Sequence, residues 1–474
     1  MSALEEAEQF EFEPRMSDAD ALMWSIEKDP LLRSTITTVM VLDQTPDRDR
    51  FTRRMDRLSR LVPRLRQRVL GHPLSIAPPR WEFDPNFDLQ YHLRWMRVAG
   101  DGTMRELFGI AEPIAMQGFD RARPLWEFTM VEGLTDGRAA MIAKLHHSIT
   151  DGVGGMKLQM ELLDIERDPE DRPEDRPMPA APVPTDLSES QRWIDALSYE
   201  AKRQAGAVTG AAGSLVGTAG RLKDDPVKVG IDALRTGSSL VRMLRPTTEP
   251  MSPLMGKRSL SVHFETIQLP LVPMKKAAAV VKGKLNDSFV AGVAGGIRRY
   301  HLAHGREDVL QIRMGMPINV RTEATATKAG NQFVPTRFVL PIDIDDPVER
   351  LNAVREVVLK ERAEPALALS DPLANIINRL PTTATTGLFG SMLRGVDVTT
   401  SNVPGAPIPV FLAGSRMESQ IAFGPMSGAG SNITLVSYMD DLNIGINIDP
   451  AAVTDPTLFV ECLQDSFDEL LKLA

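Results

Sequence analysis

The chain has 474 residues, enough for two domains with sizeable cores, and is 43% hydrophobic and 25% charged, ordinary values for a globular protein. Its net charge of −9 argues against nucleic acid as a general partner. The single cysteine, Cys462, excludes an intramolecular disulfide and fits a reducing compartment, and with only seven histidines beside it no metal site is expected.

The acidic start, Met1 to Glu8, lacks the basic and apolar regions of a signal peptide. No stretch approaches the roughly 20 apolar residues of a membrane-spanning helix, so the expected location is cytoplasmic, with any membrane contact peripheral. Met16 to Trp24 reads as a capped helix start and Thr35 to Leu42 as a β-branched strand. Phe51, Met55, Leu58 and Val62 mark one face of a helix. Its other face carries Arg53, Arg54, Arg57 and Arg60, read as solvated rather than as a phosphate site. Pro124 to Val131 reads as a strand that turns at Thr135 to Arg138 into the apolar run Ala139 to Ala143. Pro124 and Trp126 are then neighbours of that second strand, there for packing or for substrate contact.

The second strand ends in Lys144-Leu145-His146-His147-Ser148-Ile149-Thr150-Asp151-Gly152-Val153-Gly154-Gly155, and helical spacing follows from Met156 to Leu163. A histidine pair thus sits where a strand gives way to a glycine turn, a place where side chains can enter a cleft and backbone can approach a substrate. Imidazole titrates nearest neutrality, so it can take a proton from an alcohol and pass it to a leaving group. Adjacent strand residues point opposite ways, which argues against both histidines binding one metal. Asp151, four residues after His147, is placed to fix the turn or to pair with a cation.

After Glu166, the repeat Glu170-Asp171-Arg172-Pro173, Glu174-Asp175-Arg176-Pro177 and three further prolines read as an exposed linker. Residues Ser190 to Arg245 mix apolar, glycine and basic positions, either an interdomain strut or a membrane-facing patch. Strands are expected at Ser261 to Ile267, Val309 to Pro317, Phe333 to Leu340, Val396 to Val403, Ile433 to Tyr438 and Leu442 to Ile448. Asn286-Asp287 opens a helix, where capping alone could explain the pair. Further helices are expected over Asp346 to Arg362 and from Leu458 to Leu471. This order suits an α+β architecture of two halves, divided as 1–166, a linker over 167–258, and 259–474.

HHSITDG has the form H-H-x-x-x-D-G, and with Pro124-Leu125-Trp126, Asn286-Asp287 and Ser401-Asn402-Val403-Pro404-Gly405 in this order the chain resembles the bacterial wax ester synthase/diacylglycerol acyltransferase family. The resemblance implies two chloramphenicol-acetyltransferase-like domains, each a mixed sheet with helices, and a tunnel between them. It implies transfer of a fatty acyl group from acyl-CoA, the co-substrate, to diacylglycerol, giving triacylglycerol, or to a long-chain alcohol, giving a wax ester. No bound cofactor or metal is implied, since the thioester is already activated. By the same resemblance His147 is the general base, while His146 and Gly152 shape the turn. Asp151 pairs with an arginine of the other domain, for which Arg321 is the candidate. Asn286, beside Asp287, is the candidate oxyanion donor, and Asn402 a residue shaping the tunnel. No G-x-S-x-G is present, so direct transfer is expected rather than an acyl-enzyme. Both acceptors partition into lipid, which brings in a membrane or lipid-droplet surface as a peripheral partner. The alternatives are a carrier-protein-dependent condensation enzyme, which shares the histidine motif, and a non-catalytic lipid-binding paralogue. One departure stands out: Pro253-Leu254-Met255-Gly256 occupies the place of the family's Pro-Leu-Asn-Gly.

Overall fold

The computed structural model describes residues 12–71, 77–149, 158, 161–184, 187–205, 247, 249–319, 333–364, 386–387, 390 and 393–474. Helix α1 (Asp18–Ile26) is capped by Ser17, whose hydroxyl accepts from Asp20 N–H. Strand β1 (Thr35–Leu42) and helix α2 (Arg48–Leu61) follow, then the short pair β2 (Gln67–Leu70) and β3 (Arg80–Phe83). Next come β4 (Leu93–Arg97), α3 (Met104–Met116), β5 (Trp126–Glu132) and β6 (Ala139–His146). Residues 189–205 form helix α4. The second half contains β7 (His263–Pro270), α5 (Leu271–Ala279), α6 (Leu285–Ala303), β8 (Gln311–Asn319), β9 (Phe333–Pro341) and α7 (Pro347–Arg362). It closes with β10 (Val398–Val403), β11 (Phe411–Leu412), β12 (Ser415–Phe423), β13 (Ser431–Tyr438), β14 (Asp441–Ile448) and α8 (Pro456–Leu471).

Among the described residues two six-stranded sheets form, ordered β11-β12-β1-β6-β5-β4 and β7-β14-β13-β10-β8-β9. One face of the first sheet buries Met40, Leu42, Trp126, Phe128 and Leu145 against Trp24 of α1 and Phe51, Met55 and Leu58 of α2. Its other face buries Val39, Ala140 and Ile142 against Leu107, Phe108 and Ala111 of α3. The second sheet is covered by α6 and α8, whose Phe289, Val293, Phe459 and Leu463 belong to a separate core. Met255 is wholly buried in that core, so the departure from Pro-Leu-Asn-Gly places an apolar side chain in apolar surroundings.

The expected division at 166 and 258 does not separate the two sheets. Residues 411–423 return to the first sheet, where β12 lies antiparallel beside β1 with Phe423 opposite Thr37. The seam between sheets is tight: the Phe264 and Phe423 rings stack 3.9 Å apart, and a Cβ at Gly445 would overlap the Ala422 carbonyl. In that seam, beside the start of β1, lies a cleft of about 70 Å³.

Two expectations need correction. Arg54 is not solvated: it is buried, with Nη1 bonded to Asp164 Oδ2 at 2.7 Å and Nε to Glu174 Oε2 at 2.8 Å. Nor is the Glu170 to Pro177 repeat simply exposed, because Glu174 is buried where Arg50 and Arg54 both bind its carboxylate. An ion pair removed from water needs every partner in place, so this stretch is docked on α2 rather than loosely spanning. A smaller change concerns α6, whose N-cap is Lys284; Asp287 serves it from the third position by accepting Lys284 N–H at 2.7 Å.

Candidate active site

His146 ends β6 directly opposite Thr35 of β1, with its N–H on Leu125 O at 3.0 Å. Its ring is wholly buried, edge-on to Trp24 with centroids 5.6 Å apart. Ser148 N–H donates to Nδ1 at 3.1 Å and Ser148 Oγ lies 2.6 Å from the same atom. A backbone N–H can only donate, so Nδ1 is the acceptor and Nε2 carries the proton. Nε2–H then donates to Glu27 Oε1 at 2.9 Å.

Glu27 follows α1 and closes the arrangement. The same Oε1 accepts Ser34 N–H at 2.6 Å, and Ser34 O accepts His147 N–H at 2.9 Å. One carboxylate oxygen therefore ties the His146 ring to the backbone unit that holds His147. Burial alone would raise the Glu27 pKa, but His146, the Ser34 N–H and Arg121 together hold it below the usual carboxylate range. For His147, burial and the adjacent His146 push the imidazole down to about 4, so it is unprotonated at neutral pH. Nearby, Lys144 is wholly buried with its Nζ 4.4 Å from the Phe119 ring centroid and 3.9 Å from Glu127. Burial draws this amine down to about 8, against the pull of Glu127.

The remaining candidates are dispersed. Trp126 is a core residue of β5, opposite Leu145, with Nε1 donating to Leu65 O at 2.8 Å and its ring stacked on His92. Buried Pro124 accepts Trp126 N–H at 3.0 Å, so the Pro-Leu-Trp segment supports the histidine strand from the side. Asn286 lies in the first turn of α6, its Nδ2 3.6 Å from Met316 Sδ, and Asp287 caps that helix. Asn402 is exposed on β10, opposite Leu435. Asp151, Gly152 and Arg321 lie outside the described residues. Nothing in the sequence points to Glu27, since a lone acidic residue after a helix carries no distinguishing signal. Among the described residues no cluster of His, Cys, Asp and Glu could hold a metal, and no helix is long and apolar enough to cross a membrane.

Comparison with known proteins bears on this arrangement. The family description "Wax ester synthase/diacylglycerol acyltransferase catalytic domain" matches residues 16–289, and "WS/DGAT C-terminal domain" matches residues 329–471. A relative from Mycobacterium tuberculosis (strain H37Rv), named as a diacyglycerol O-acyltransferase, is 39% identical over 465 residues, covering 97% of this chain and 93% of its own. A second from the same strain, similarly named, is 28% identical and covers 97% of each chain. The solved wax ester synthase/diacylglycerol acyltransferase from Marinobacter aquaeolei VT8 superposes with a TM-score of 0.61 at 20% identity, covering 96% of this chain and 98% of that one. The first condensation domain of the calcium-dependent antibiotic synthetase gives 0.58 at 16%, covering 97% and 95%. Both structural likenesses are of fold, two sheet-and-helix halves of the acyltransferase type. Matched along nearly its whole length, the chain belongs to the wax ester synthase/diacylglycerol acyltransferase family.

Proposed function

We propose that the chain moves a fatty acyl group from acyl-CoA to the free hydroxyl of diacylglycerol, with a long-chain alcohol as the second acceptor. The observation that carries this reading is the histidine turn, in which His146 is fully engaged and His147 beside it is kept unprotonated. His147 takes the hydroxyl proton as that oxygen attacks the thioester carbonyl carbon. The carbon–sulfur bond then breaks, and the proton passes from His147 to the departing thiolate. Glu27, His146 and Ser148 act by holding the turn in place, since a misplacement of about 1 Å at such a base can cost about 10²-fold in rate. Asn286 is our candidate for the donor to the oxyanion, a contact worth roughly 3 kcal/mol of barrier in comparable sites.

Such acceptors reside in lipid, and α4 offers the surface to meet it. Ile194 is 67% exposed and Leu197 54%, on the side opposite buried Ala196 and the ion pairs that dock the helix. Arg192 and Arg203, in the stretch read either as an interdomain strut or as a membrane-facing patch, pair with Glu82 and Asp18 of the protein. The function is tested by incubating the protein with labelled palmitoyl-CoA and competing diacylglycerol and 1-hexadecanol. Labelled triacylglycerol is expected, with wax ester as the lesser product. Free palmitate alone, or transfer only from an acyl-carrier protein, would overturn the reading.

A further inference from the structure

The seam cleft has walls of distinct chemistry. Arg33, Thr35 and Thr37 form its first-sheet wall, and Leu260, Val262 and Asn447 are on the opposite one. Thr35 is the β-ladder partner of His146, so this wall is one strand spacing, about 5 Å, from the histidine turn.

The charges around the cleft are largely committed. Arg258 donates to the carbonyls of Met255, Lys257, Val396 and Gly428. Asp449 accepts from Ser259 N, Ser259 Oγ and Ala451 N. Asn447 differs: its Nδ2 donates to Gly424 O at 3.0 Å, while its buried Oδ1 has no hydrogen-bond partner among the described residues. A buried acceptor of this kind calls for a donor, and a hydroxyl supplies one. Arg33 gives Nη1 to Met116 O at 2.6 Å and has further N–H groups, in a fork suited to carbonyl oxygens. With roughly 10–15 Å³ needed per water-sized group, the cleft of about 70 Å³ has room for about five to seven. That suits the glycerol end of a lipid.

We infer that this cleft is the loading port for the acceptor, and that it selects a glyceride over a simple alcohol. The free hydroxyl of diacylglycerol meets Asn447 Oδ1 before passing to His147, and an ester carbonyl, which a fatty alcohol lacks, meets Arg33. The inference rests on the acyltransferase reading above, but one of its tests does not depend on turnover.

Val262→Trp fills the cleft, and Leu260→Trp does so from an exposed position where folding is not at stake. Each is expected to raise KM for diacylglycerol about tenfold and to leave KM for palmitoyl-CoA within twofold. Arg33→Gln is expected to raise KM for diacylglycerol at least threefold more than KM for 1-hexadecanol. Separately, diacylglycerol carrying a diazirine on its glycerol end, presented in phosphatidylcholine vesicles, should label peptides containing Met116 or Leu260. A rise confined to the palmitoyl-CoA KM, unchanged KM values in both tryptophan variants, or labelling elsewhere overturns the port. Labelling at the cleft without any transfer to an acceptor would overturn the catalytic reading and leave the port standing.

Discussion

Replacing Glu27 probes the anchor of the histidine turn directly. Glu27 Oε1 accepts from Ser34 N–H at 2.6 Å and His146 Nε2–H at 2.9 Å. Hydrogen bonds to a charged partner contribute roughly 1.5–3 kcal/mol each, so the two together amount to about 3–6 kcal/mol. The carboxylate is 10% exposed, so water can partly replace it, which puts Glu27→Ala at the lower end, about 3 kcal/mol. Glu27→Gln keeps a carbonyl oxygen and should lose only about 1–2 kcal/mol. All five tryptophans, at 24, 81, 95, 126 and 193, precede the second half, so their fluorescence during urea denaturation reports the part of the chain that contains the turn. In acyl transfer, kcat of Glu27→Ala should fall about 10²-fold because the His147 unit loses its tether. In a double-mutant cycle, Glu27→Ala with His146→Ala should be less damaging than additivity by at least about 1 kcal/mol. Wild-type denaturation and kcat in Glu27→Ala, or strict additivity, would refute the tether.

Because His147 is pushed down to about 4, the acidic limb of kcat/KM should break near that value and not near 6.5. Stability follows the same sign: His147 and His92, both lowered to about 4, bind protons more readily when unfolded, so stability is full above about 6.5 and declines as pH falls toward 4. An inflection near 6.5 in the wild-type rate profile would contradict the burial argument. On α2, Arg54→Ala should cost about 3–5 kcal/mol in urea denaturation by stranding Glu174 and Asp164, while Arg53→Ala, on the exposed side, stays within about 0.5 kcal/mol. For α4, Ile194→Gln with Leu197→Gln should weaken flotation with anionic vesicles several-fold, and unchanged flotation would leave that helix without a lipid role.

Local pattern carried much of this molecule. The β5–β6 hairpin, the strand end at His146, and helices α6, α7 and α8 follow from turn residues and apolar spacing close at hand. What escaped depends on distant or polar partners. Strand β12 has its own alternation, Met417, Ser419, Ile421 and Phe423, yet nothing local says that it pairs with β1 rather than with its sequence neighbours. Helix α3 lies outside the elements expected from apolar spacing, although Thr103 and Glu106 form a capping box. The arginines of α2 read as solvated because periodicity separates apolar from polar, not free charges from paired ones. Glu27 was silent for the same reason, its role being set by a hydrogen bond to a ring 119 positions away.

The return of residues 411–423 to the first sheet also dictates the order in which the protein can be completed. Until β12 arrives, β1 has a bare edge of unpaired N–H and C=O groups, the kind of surface on which other chains add. Some 370 residues separate the two strands, and at roughly 5–20 residues per second the ribosome needs about 20–75 s to supply the missing one. A fragment ending at residue 289, although it holds both histidines, would carry that open edge permanently. For most of its synthesis the nascent chain therefore lacks the strand that closes this edge.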